Sequence, residues 1–324
     1  MASPLAGKAI LVTGAARGIG EQVARRAAAR GARVAAIGLE PDRLQALAAD
    51  LGERHYWHEA DVTDQAALHA AVGGAVDALG GLDAVVANAG IANMGTVAVS
   101  RAEALTRTID VNLGGVVRTV SSTLPHLLAS RGYYLLISSA AAFTALPGMA
   151  AYCAAKAGVE QFGNVLRLEV AHRGVQVGTA HPSWVDTDLV RDAKADLASF
   201  QTTLRGLPWP LRSSISGRAC AEALVRAVEH RKRRVYVPRS VALVQALRTL
   251  ALSTVSDRLV TRSGGGGARI ADLEAEVREL GRFFGAHSAE RRVPRAVRPG
   301  AGGAHRAAGD EEPSRVWPRP GRPG

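Results

Sequence analysis

The sequence predicts a doubly wound α/β fold, in which helices cover both faces of a parallel sheet of about seven strands. Two observations predict it. Short apolar runs alternate with longer segments of helical periodicity between residues 9 and 180, which is the pattern of repeated β-α-β units. The first apolar run ends in a glycine-rich turn at residues 13–20, where glycine allows a sharp connection from strand to helix.

Each strand is predicted from an apolar run, and each helix from an apolar residue at every third or fourth position. The predicted strands are residues 9–12, 32–37, 55–60, 82–87, 133–137, 175–180 and 235–237. The predicted helices are residues 19–30, 41–51, 64–79, 104–130 and 151–173, with a helical excursion at 187–211. Gly31 fits the end of the first helix and Pro41 the start of the second.

The chain changes character after Pro238. Residues 241–255 read as an Ala/Leu/Val-rich helical segment, followed by a charged helix at 269–284. That helix carries an apolar seam too short to be stable without a partner, made of Ile270, Leu273, Val277 and Leu280.

These features divide the chain into three parts. Residues 1–240 are predicted to form the main α/β domain, and residues 241–285 a helical extension with a flexible glycine-rich linker at 263–267. The Arg/Pro/Gly-rich composition of residues 286–324 predicts a disordered tail.

The cysteine content argues against a disulfide framework or a cysteine metal site. The two cysteines, Cys153 and Cys220, are far apart in sequence and fit a reducing compartment. We find no basic-then-apolar leader before the first strand and no apolar run as long as a membrane-spanning helix. The expected location is therefore the cytoplasm, and no metal site is predicted.

The formal net charge of +11 is concentrated between Arg205 and Arg262, including the run 231–234, and in the tail. Basic surfaces attract nucleic acids and anionic membranes. No aromatic residues interleave with these charges and no nucleic-acid-binding motif accompanies them, so we expect a solvated face and no nucleic-acid partner. A peripheral membrane contact is left open.

The glycine-rich turn contains Gly14, Gly18 and Gly20. Glycine permits close backbone approach, so that a pyrophosphate can bind at the amino terminus of the following helix. Their spacing differs from the common Gly-x-Gly-x-x-Gly pattern, and it is the position after the first strand that favours dinucleotide binding.

Tyr152 and Lys156 lie four positions apart and share one face of a predicted helix. A phenol with a pKa of about 10 is a poor proton donor and acceptor at neutral pH. A neighbouring cation favours the phenolate and is expected to lower that pKa. Such a pair also occurs by chance on many helices as a structural feature. Its interpretation as a general acid–base group depends on the motifs that accompany it.

Further motifs follow in order along the chain. They are Asp61-Val62, Asn88-Ala89-Gly90, Asn112, Ser139 and Pro182-Ser183-Trp184-Val185-Asp186-Thr187. With the glycine turn and the Tyr152–Lys156 pair, they resemble the short-chain dehydrogenase/reductase family over roughly residues 5–240. The resemblance implies a Rossmann-type fold and an NAD(P)-dependent oxidoreductase.

The resemblance also implies a role for each catalytic residue. Tyr152 would exchange a proton with the substrate oxygen, while Lys156 would lower the tyrosine pKa and hold the nicotinamide ribose. Ser139 would hydrogen-bond the carbonyl or alkoxide, with Ser138 as the alternative. Asn112 would hold a water that links Lys156 to solvent.

The cofactor-binding residues implied by the same resemblance come from every motif. They are Gly14, Arg17, Gly18, Ile19, Gly20, Asp61, Val62, Asn88, Ala89, Gly90, Tyr152, Lys156, Pro182, Val185 and Thr187. Ser183 replaces the glycine that usually follows Pro182 in the family, which should alter the turn locally.

The choice between NAD and NADP depends on the end of the second strand. NAD-preferring relatives carry a carboxylate there, which binds the ribose 2′-hydroxyl. This chain has Gly38, with Glu40 two positions later, and Arg17 could pair with a 2′-phosphate. These residues favour NADP slightly over NAD.

Substrate and assembly are less constrained. Apolar residues of the excursion, together with Trp184, predict a lipophilic alcohol or ketone; they are Phe200, Leu204, Leu207, Trp209 and Leu211. The segment 241–255 lines that pocket, joins a subunit interface or rests on a membrane surface. A homodimer or homotetramer is implied by resemblance, through the long helices after the fourth and fifth strands.

Two alternatives to alcohol/carbonyl chemistry remain. The same four residues could act on a carbon–carbon double bond or an imine. A non-catalytic scaffold that retains the cofactor fold is the other alternative, although such a protein has no need of Tyr152 and Lys156.

Overall fold

The computed structural model describes residues 3–206, 214–262, 266–283 and 285. Its strands are β1 (Ala9–Thr13), β2 (Arg33–Gly38), β3 (Tyr56–Glu59), β4 (Ala84–Ala87), β5 (Tyr133–Ile137), β6 (Gln176–Pro182), β7 (Trp184–Asp186), β8 (Ser214–Ser216) and β9 (Arg234–Val237). Seven of them form one sheet in the order β3-β2-β1-β4-β5-β6-β9, and every pair is parallel. The predicted doubly wound sheet is confirmed.

The strand order reverses between β1 and β4. In open parallel sheets, a crevice opens at such a switch point, beyond the carboxyl ends of the strands. The glycine turn follows β1 and Asn88 follows β4, so both motifs meet at this crevice.

Thirteen helices accompany the strands within the described residues. They are α1 (Gly18–Ala29), α2 (Pro41–Leu51), α3 (Gln65–Leu79), α4 (Ala102–Ile109), α5 (Gly115–Ser130), α6 (Ala150–Ala171), α7 (Asp188–Asp196), α8 (Ala198–Gly206), α9 (Gly217–Glu229), α10 (Val241–Ala246), α11 (Arg248–Ala251), α12 (Thr254–Arg262) and α13 (Gly266–Leu280). Helices α1, α2 and α9 pack on one face of the sheet, and α3, α5 and α6 on the other. Each face buries its own apolar core.

The single helix predicted at 104–130 is interrupted. A π-helical turn at Asp110–Gly114 separates α4 from α5. Within it, the Asn112 amide donates to the carbonyl oxygens of Thr108 at 2.8 Å and of Ile91 at 2.7 Å. Turns of this kind are common at functional sites because they redirect one side chain, and here that side chain is Asn112.

The excursion predicted at 187–211 consists of α7 and α8, which break at Leu197; its last residues, 207–211, lie outside the described part of the chain. A short parallel pair, β7 and β8, flanks these helices and was not predicted. Unlike residues 235–237, the Ser-Ile-Ser sequence of β8 is not an apolar run that would indicate a strand.

The segment predicted as one helix at 241–255 forms α10, α11 and the start of α12. On α10, Val241 and Val244 are buried against Phe143. The outward side of the segment exposes Leu243, Leu247, Leu250, Leu252 and Val255.

The charged helix with the apolar seam is α13. Its seam packs against another segment of the same chain, the excursion formed by α7 and α8. Leu273 and Val277 are buried against Leu197 and Phe200 of the excursion. In the predicted linker, Gly266 and Gly267 begin α13, whereas residues 263–265 lie outside the described residues, as do 286–324 of the predicted tail. No helix in the described ranges is long and apolar enough to span a membrane.

Candidate active site

The glycine turn forms a cradle at the carboxyl end of β1. Gly14 has a φ of 65°, and a Cβ on it would lie 2.8 Å from the Cα of Ala89. A Cβ on Gly20 would collide with the carbonyl oxygen of Gly14. Only glycine fits at these two positions, so the turn stays narrow and its backbone remains open to a ligand.

Side chains from β1 and the residue after β4 fix this cradle to the sheet. The Thr13 hydroxyl accepts the backbone N–H groups of Asn88 at 3.0 Å and Ala89 at 3.2 Å. The Asn88 amide donates to the carbonyl oxygen of Thr13 at 3.0 Å. Asn88 therefore supports the glycine turn as well as lining the cleft.

A cleft of about 210 Å³ extends from the cradle along the ends of the strands. The predicted residues that line it are Gly14, Arg17, Gly18, Ile19, Asp61, Val62, Asn88, Ala89, Gly90, Asn112, Ser139, Tyr152, Lys156, Pro182, Val185 and Thr187. Gly20 does not line the cleft, because it lies behind the turn against Gly14. Its role is to let the turn pack.

Several lining residues were not predicted as site residues. Gly38, Leu39 and Glu40 close the end near Arg17, and Leu189 and Val190 of α7 close the opposite end. The sequence offers no motif for α7, because its residues reach the cleft only through the fold.

Ser139 and Tyr152 lie at the deep end of the cleft. Ser139 follows β5, and its Oγ accepts the N–H of Ala141 at 3.1 Å. The neighbouring Ser138 instead donates to the carbonyl oxygen of Lys156 at 2.8 Å. Ser139 Oγ also donates to a carbonyl oxygen, that of Pro182, but at the longer distance of 3.3 Å. Both serines line the cleft, and Ser139 has the weaker of the two hydrogen bonds.

The pKa of Tyr152 lies above its ordinary value of about 10. Burial raises the pKa of Tyr152 to about 12, and a hydrogen bond with Ser139 partly opposes that rise. The expected lowering by Lys156 is not seen, and removal of the phenol from water is the main cause of the raised pKa. Tyr152 is therefore a protonated phenol at neutral pH.

Lys156 is almost fully buried, with 3% of its surface exposed. Its Nζ donates to the carbonyl oxygen of Ile137 at 3.0 Å and lies 5.6 Å from the centre of the Tyr152 ring. Burial lowers the pKa of Lys156 to about 8. The ammonium remains charged at neutral pH, at a cost that a ligand can offset by adding hydrogen bonds.

Asn112 leaves one buried acceptor unused. Its Nδ2 is satisfied by the two carbonyl oxygens described above, but its Oδ1 has no hydrogen-bond partner among the described residues. The space next to Gly90 lies close to both this oxygen and Lys156 Nζ, since a Cβ there would be 2.7 Å from the one and 3.6 Å from the other. Buried polar atoms need partners, so this is a place suited to a water or a ligand hydroxyl.

The family model described as short chain dehydrogenase matches residues 8–198, which are more than half of the chain. The chain belongs to the short-chain dehydrogenase/reductase family. A D-threitol dehydrogenase of Mycolicibacterium smegmatis is 37% identical over 189 residues, covering 57% of this chain and 73% of the relative. A 3-alpha-(or 20-beta)-hydroxysteroid dehydrogenase of Mycobacterium bovis is 34% identical over 215 residues, covering 66% and 82%.

A glycine betaine reductase of Emericella nidulans is 37% identical over 191 residues, covering 58% of this chain. The chain spans only 15% of the length of that relative. Members of the short-chain dehydrogenase/reductase family use NAD or NADP, so residues 8–198 belong to an NAD(P)-dependent oxidoreductase domain.

The structure fits such a cofactor at both ends of the cleft. The glycine cradle offers backbone N–H groups at the start of α1, which suits a pyrophosphate. At the other end, the ammonium of Lys156 and the unused Oδ1 of Asn112 suit hydroxyl groups. Thr187, whose hydroxyl donates to the carbonyl of Val185 at 3.3 Å, lies beside the cradle at Gly18.

An ion pair lies at the end of the cleft lined by Gly38, the residue that stands where NAD-preferring relatives carry a carboxylate. Arg17 Nη2 lies 2.8 Å from Glu40 Oε1, and both side chains are partly exposed. The cation predicted to favour a 2′-phosphate is thus already engaged by a carboxylate.

A second, smaller cavity of about 60 Å³ adjoins Ser139 and Tyr152. Its other lining residues are mostly apolar: Ala140, Ala141, Thr144, Leu146, Met149, Ser183, Trp184, Leu189 and Val190. Trp184 was predicted here. Phe200 and Leu204 instead pack against α13, while Leu207, Trp209 and Leu211 lie outside the described residues.

Proposed function

We propose that the protein interconverts an alcohol and a carbonyl compound, with Tyr152 as the general acid and base. The observation that carries this proposal is the convergence of Asn112, Ser139, Tyr152 and Lys156 on one end of the dinucleotide cleft. An apolar cavity opens directly beside Ser139 and Tyr152. A substrate carbonyl in this cavity would lie within reach of the hydroxyl groups of Ser139 and Tyr152, both of which also line the dinucleotide cleft.

A nicotinamide cofactor, held by the glycine cradle at one end and by Lys156 at the other, would supply the hydride for reduction of the carbonyl carbon. Ser139 Oγ–H donates a hydrogen bond to the carbonyl oxygen, where negative charge develops. Tyr152 gives its phenolic proton to that oxygen, which completes the alcohol. The protonated state of Tyr152, with a pKa of about 12, keeps this donor ready at neutral pH.

Lys156 supports the proton transfer by charge. When Tyr152 loses its proton, the nearby ammonium stabilises the phenolate that forms. Lys156 also offers N–H donors to ribose hydroxyl groups, and Asn112 Oδ1 offers an acceptor for a water that returns a proton from solvent. Oxidation uses the same groups in reverse order.

The lining of the smaller cavity favours a lipophilic substrate. Leu146, Met149 and Trp184 provide apolar walls, and the described lining carries no ionisable group other than Tyr152. Burial of an apolar substrate surface there is favourable. The hydroxysteroid dehydrogenase relative is consistent with such a substrate, whereas the D-threitol dehydrogenase acts, by its name, on a polar one.

For the cofactor, we propose a modest preference for NADP. Gly38 provides no carboxylate to repel a 2′-phosphate, and Arg17 is a cation at that end of the cleft. Glu40 reduces this advantage because it pairs with Arg17. Replacement Glu40→Gln should therefore increase the ratio of NADPH to NADH affinity in fluorescence titrations, whereas Arg17→Ala should decrease it.

For assembly, we propose a homodimer or homotetramer. Exposed apolar side chains on the outward faces of α5 and α6 support it, namely Val117, Val165 and Leu168. Such patches on soluble proteins often mark interfaces.

The central test compares Tyr152→Phe with the wild-type protein. Turnover of lipophilic ketones should fall at least about 100-fold, since general acid catalysis contributes that much or more. Binding of NADPH should stay within about twofold, because the phenyl ring is retained. The matched control is Tyr56→Phe on β3, which is remote from both cavities and should leave turnover unchanged.

Turnover that survives Tyr152→Phe would overturn the acid–base role. Cofactor binding by the wild-type protein without turnover of any ketone, alkene or imine would instead favour a non-catalytic scaffold.

A further inference from the structure

Helix α13 lies across the substrate loop, defined here as residues 188–206 and comprising α7 and α8. Leu273 and Val277 of α13 are buried at 9% and 1% exposure, against Leu197 and Phe200 of the loop. The family match ends at residue 198, so α13 lies in a part of the chain that the family's common region does not include.

A carboxylate on α13 holds the start of α8. Ser199 donates its backbone N–H to Glu276 Oε1 at 3.1 Å and its hydroxyl to Glu276 Oε2 at 2.7 Å. A carboxylate is favourable at a helix amino terminus, where N–H groups lack partners within the helix. After α13, Arg282 pairs with Asp196 at the end of α7.

The same helix is bound to the catalytic domain on its other side. Thr96 Oγ1 donates to Glu274 Oε1 at 2.7 Å. The backbone N–H of Met94 donates to the carbonyl oxygen of Phe283 at 2.9 Å. Gly148 has no side chain where Leu273 packs, since a Cβ there would lie 2.5 Å from Leu273 Cδ2. Helix α13 thus bridges the loop after β4 and the substrate loop.

The substrate loop in turn closes both cavities. Leu189 of α7 lines the cofactor cleft, the apolar cavity and a small space beneath Phe283. Trp184, another wall of the apolar cavity, packs edge-on against Phe200 with ring centres 5.4 Å apart. A displacement of α13 would therefore reach the substrate walls through Phe200 and Leu189.

We propose that α13 is a strap that holds the substrate loop over the apolar cavity, with Glu276 as its positioning residue. This inference rests on the proposed function in one respect only, the identity of the cavity as the substrate site. Glu276 touches neither substrate nor cofactor, and it acts through Ser199. Loss of the Glu276 carboxylate should weaken the contact between α13 and the substrate loop, so that the loop moves more easily away from the cavity and substrate binds less tightly.

The test replaces Glu276 by alanine in the full chain, with Glu279→Ala as the matched control. Both residues lie on α13, but Glu279 is exposed and makes no hydrogen bond or ion pair with the loop within the described residues. Alanine retains helix propensity, so α13 itself is not weakened. Hydrogen exchange read by mass spectrometry should be faster at residues 188–206 in Glu276→Ala and unchanged at β5.

Steady-state kinetics distinguish a residue that positions the substrate loop, which affects KM, from one that takes part in the reaction, which affects kcat. Losing hydrogen bonds to a charged group should raise KM for a ketone about tenfold in Glu276→Ala. The value of kcat should stay within about twofold, because Ser139 and Tyr152 are not moved. Glu279→Ala should change neither parameter. Ser199→Ala, which removes the hydroxyl from the other partner, should reproduce the KM effect and serves if Glu276→Ala does not fold.

Unchanged exchange at 188–206 in both Glu276→Ala and Ser199→Ala would overturn the proposal, and so would a fall in kcat without a rise in KM. A protein that turns over no ketone at all would contradict the proposed function. The exchange experiment would still decide whether α13 holds the loop.

Discussion

At the scale of single residues, Lys156 shows how the site is prepared for a ligand. The residue is 3% exposed, and burial lowers the pKa of its ammonium group from 10.5 to about 8. A lowered lysine pKa means that the folded protein binds a proton less tightly than the unfolded chain. Below pH 8 both states are protonated, and the folded state bears the full cost of a buried charge, about 3 kcal/mol.

We therefore predict that Lys156→Met stabilises the cofactor-free protein most at neutral pH. As pH rises from about 8 towards 10.5, the folded wild-type protein loses the proton while the unfolded chain keeps it, so wild-type stability recovers. The stability difference between variant and wild type should shrink between pH 7 and 9.5 in denaturant unfolding. Lys232→Met, at an exposed position, should show no such trend. A pH-independent difference for Lys156→Met would contradict the buried charge.

At the scale of elements, the turn between β1 and α1 depends on the absence of one methyl group. A Cβ on Gly20 would collide with Gly14 and lie 2.7 Å from Asn88 Nδ2. We predict that Gly20→Ala displaces the cradle and weakens NADPH binding by at least about tenfold, since a backbone that holds a pyrophosphate tolerates little movement. Calorimetric titration measures it.

The control for Gly20→Ala is Gly73→Ala in α3, where an added Cβ meets nothing within 4 Å. The same chemical change there should leave cofactor binding intact and stabilise the fold by up to about 1 kcal/mol, as alanine does in helices. Equal NADPH affinity in both variants would show that the cradle is not where the cofactor binds.

The elements also show what a sequence can and cannot reveal. All seven strands of the main sheet were predicted. Most of them are buried apolar runs bounded by turn residues, whereas the edge strand β3 is only partly buried. The π-helical turn around Asn112 was missed, since it follows from hydrogen bonds to Ile91 and Thr108 rather than from a local pattern. The seam of α13 predicted an apolar helix face, but periodicity does not say which surface covers it.

The same limit applies to the site. Ordered motifs predicted the residues that line the cleft, whereas Leu189 and Val190 reach it only because α7 folds over it. The raised pKa of Tyr152 could not be predicted from its spacing to Lys156, because burial decides it and burial is a property of the whole fold.

At the scale of the whole molecule, the described residues include two exposed apolar surfaces that are candidates for contact with a second copy of the chain. One lies on α5 and α6, where Val165 and Leu168 are 44% and 65% exposed. The other lies on α10 to α12, where Leu250 is 62% exposed. Both cost free energy in water, so each is a candidate interface.

We predict that the subunits meet through α5 and α6. In that arrangement, Leu168→Glu places a charge in a desolvated contact and should convert the oligomer to a monomer, because an unpaired buried carboxylate is strongly unfavourable. Leu250→Glu makes the same chemical change on the other surface and should leave the oligomer intact. Light scattering after size-exclusion chromatography gives both masses. Dissociation by Leu250→Glu alone would assign the interface to α10–α12, and a monomeric wild-type protein would exclude both.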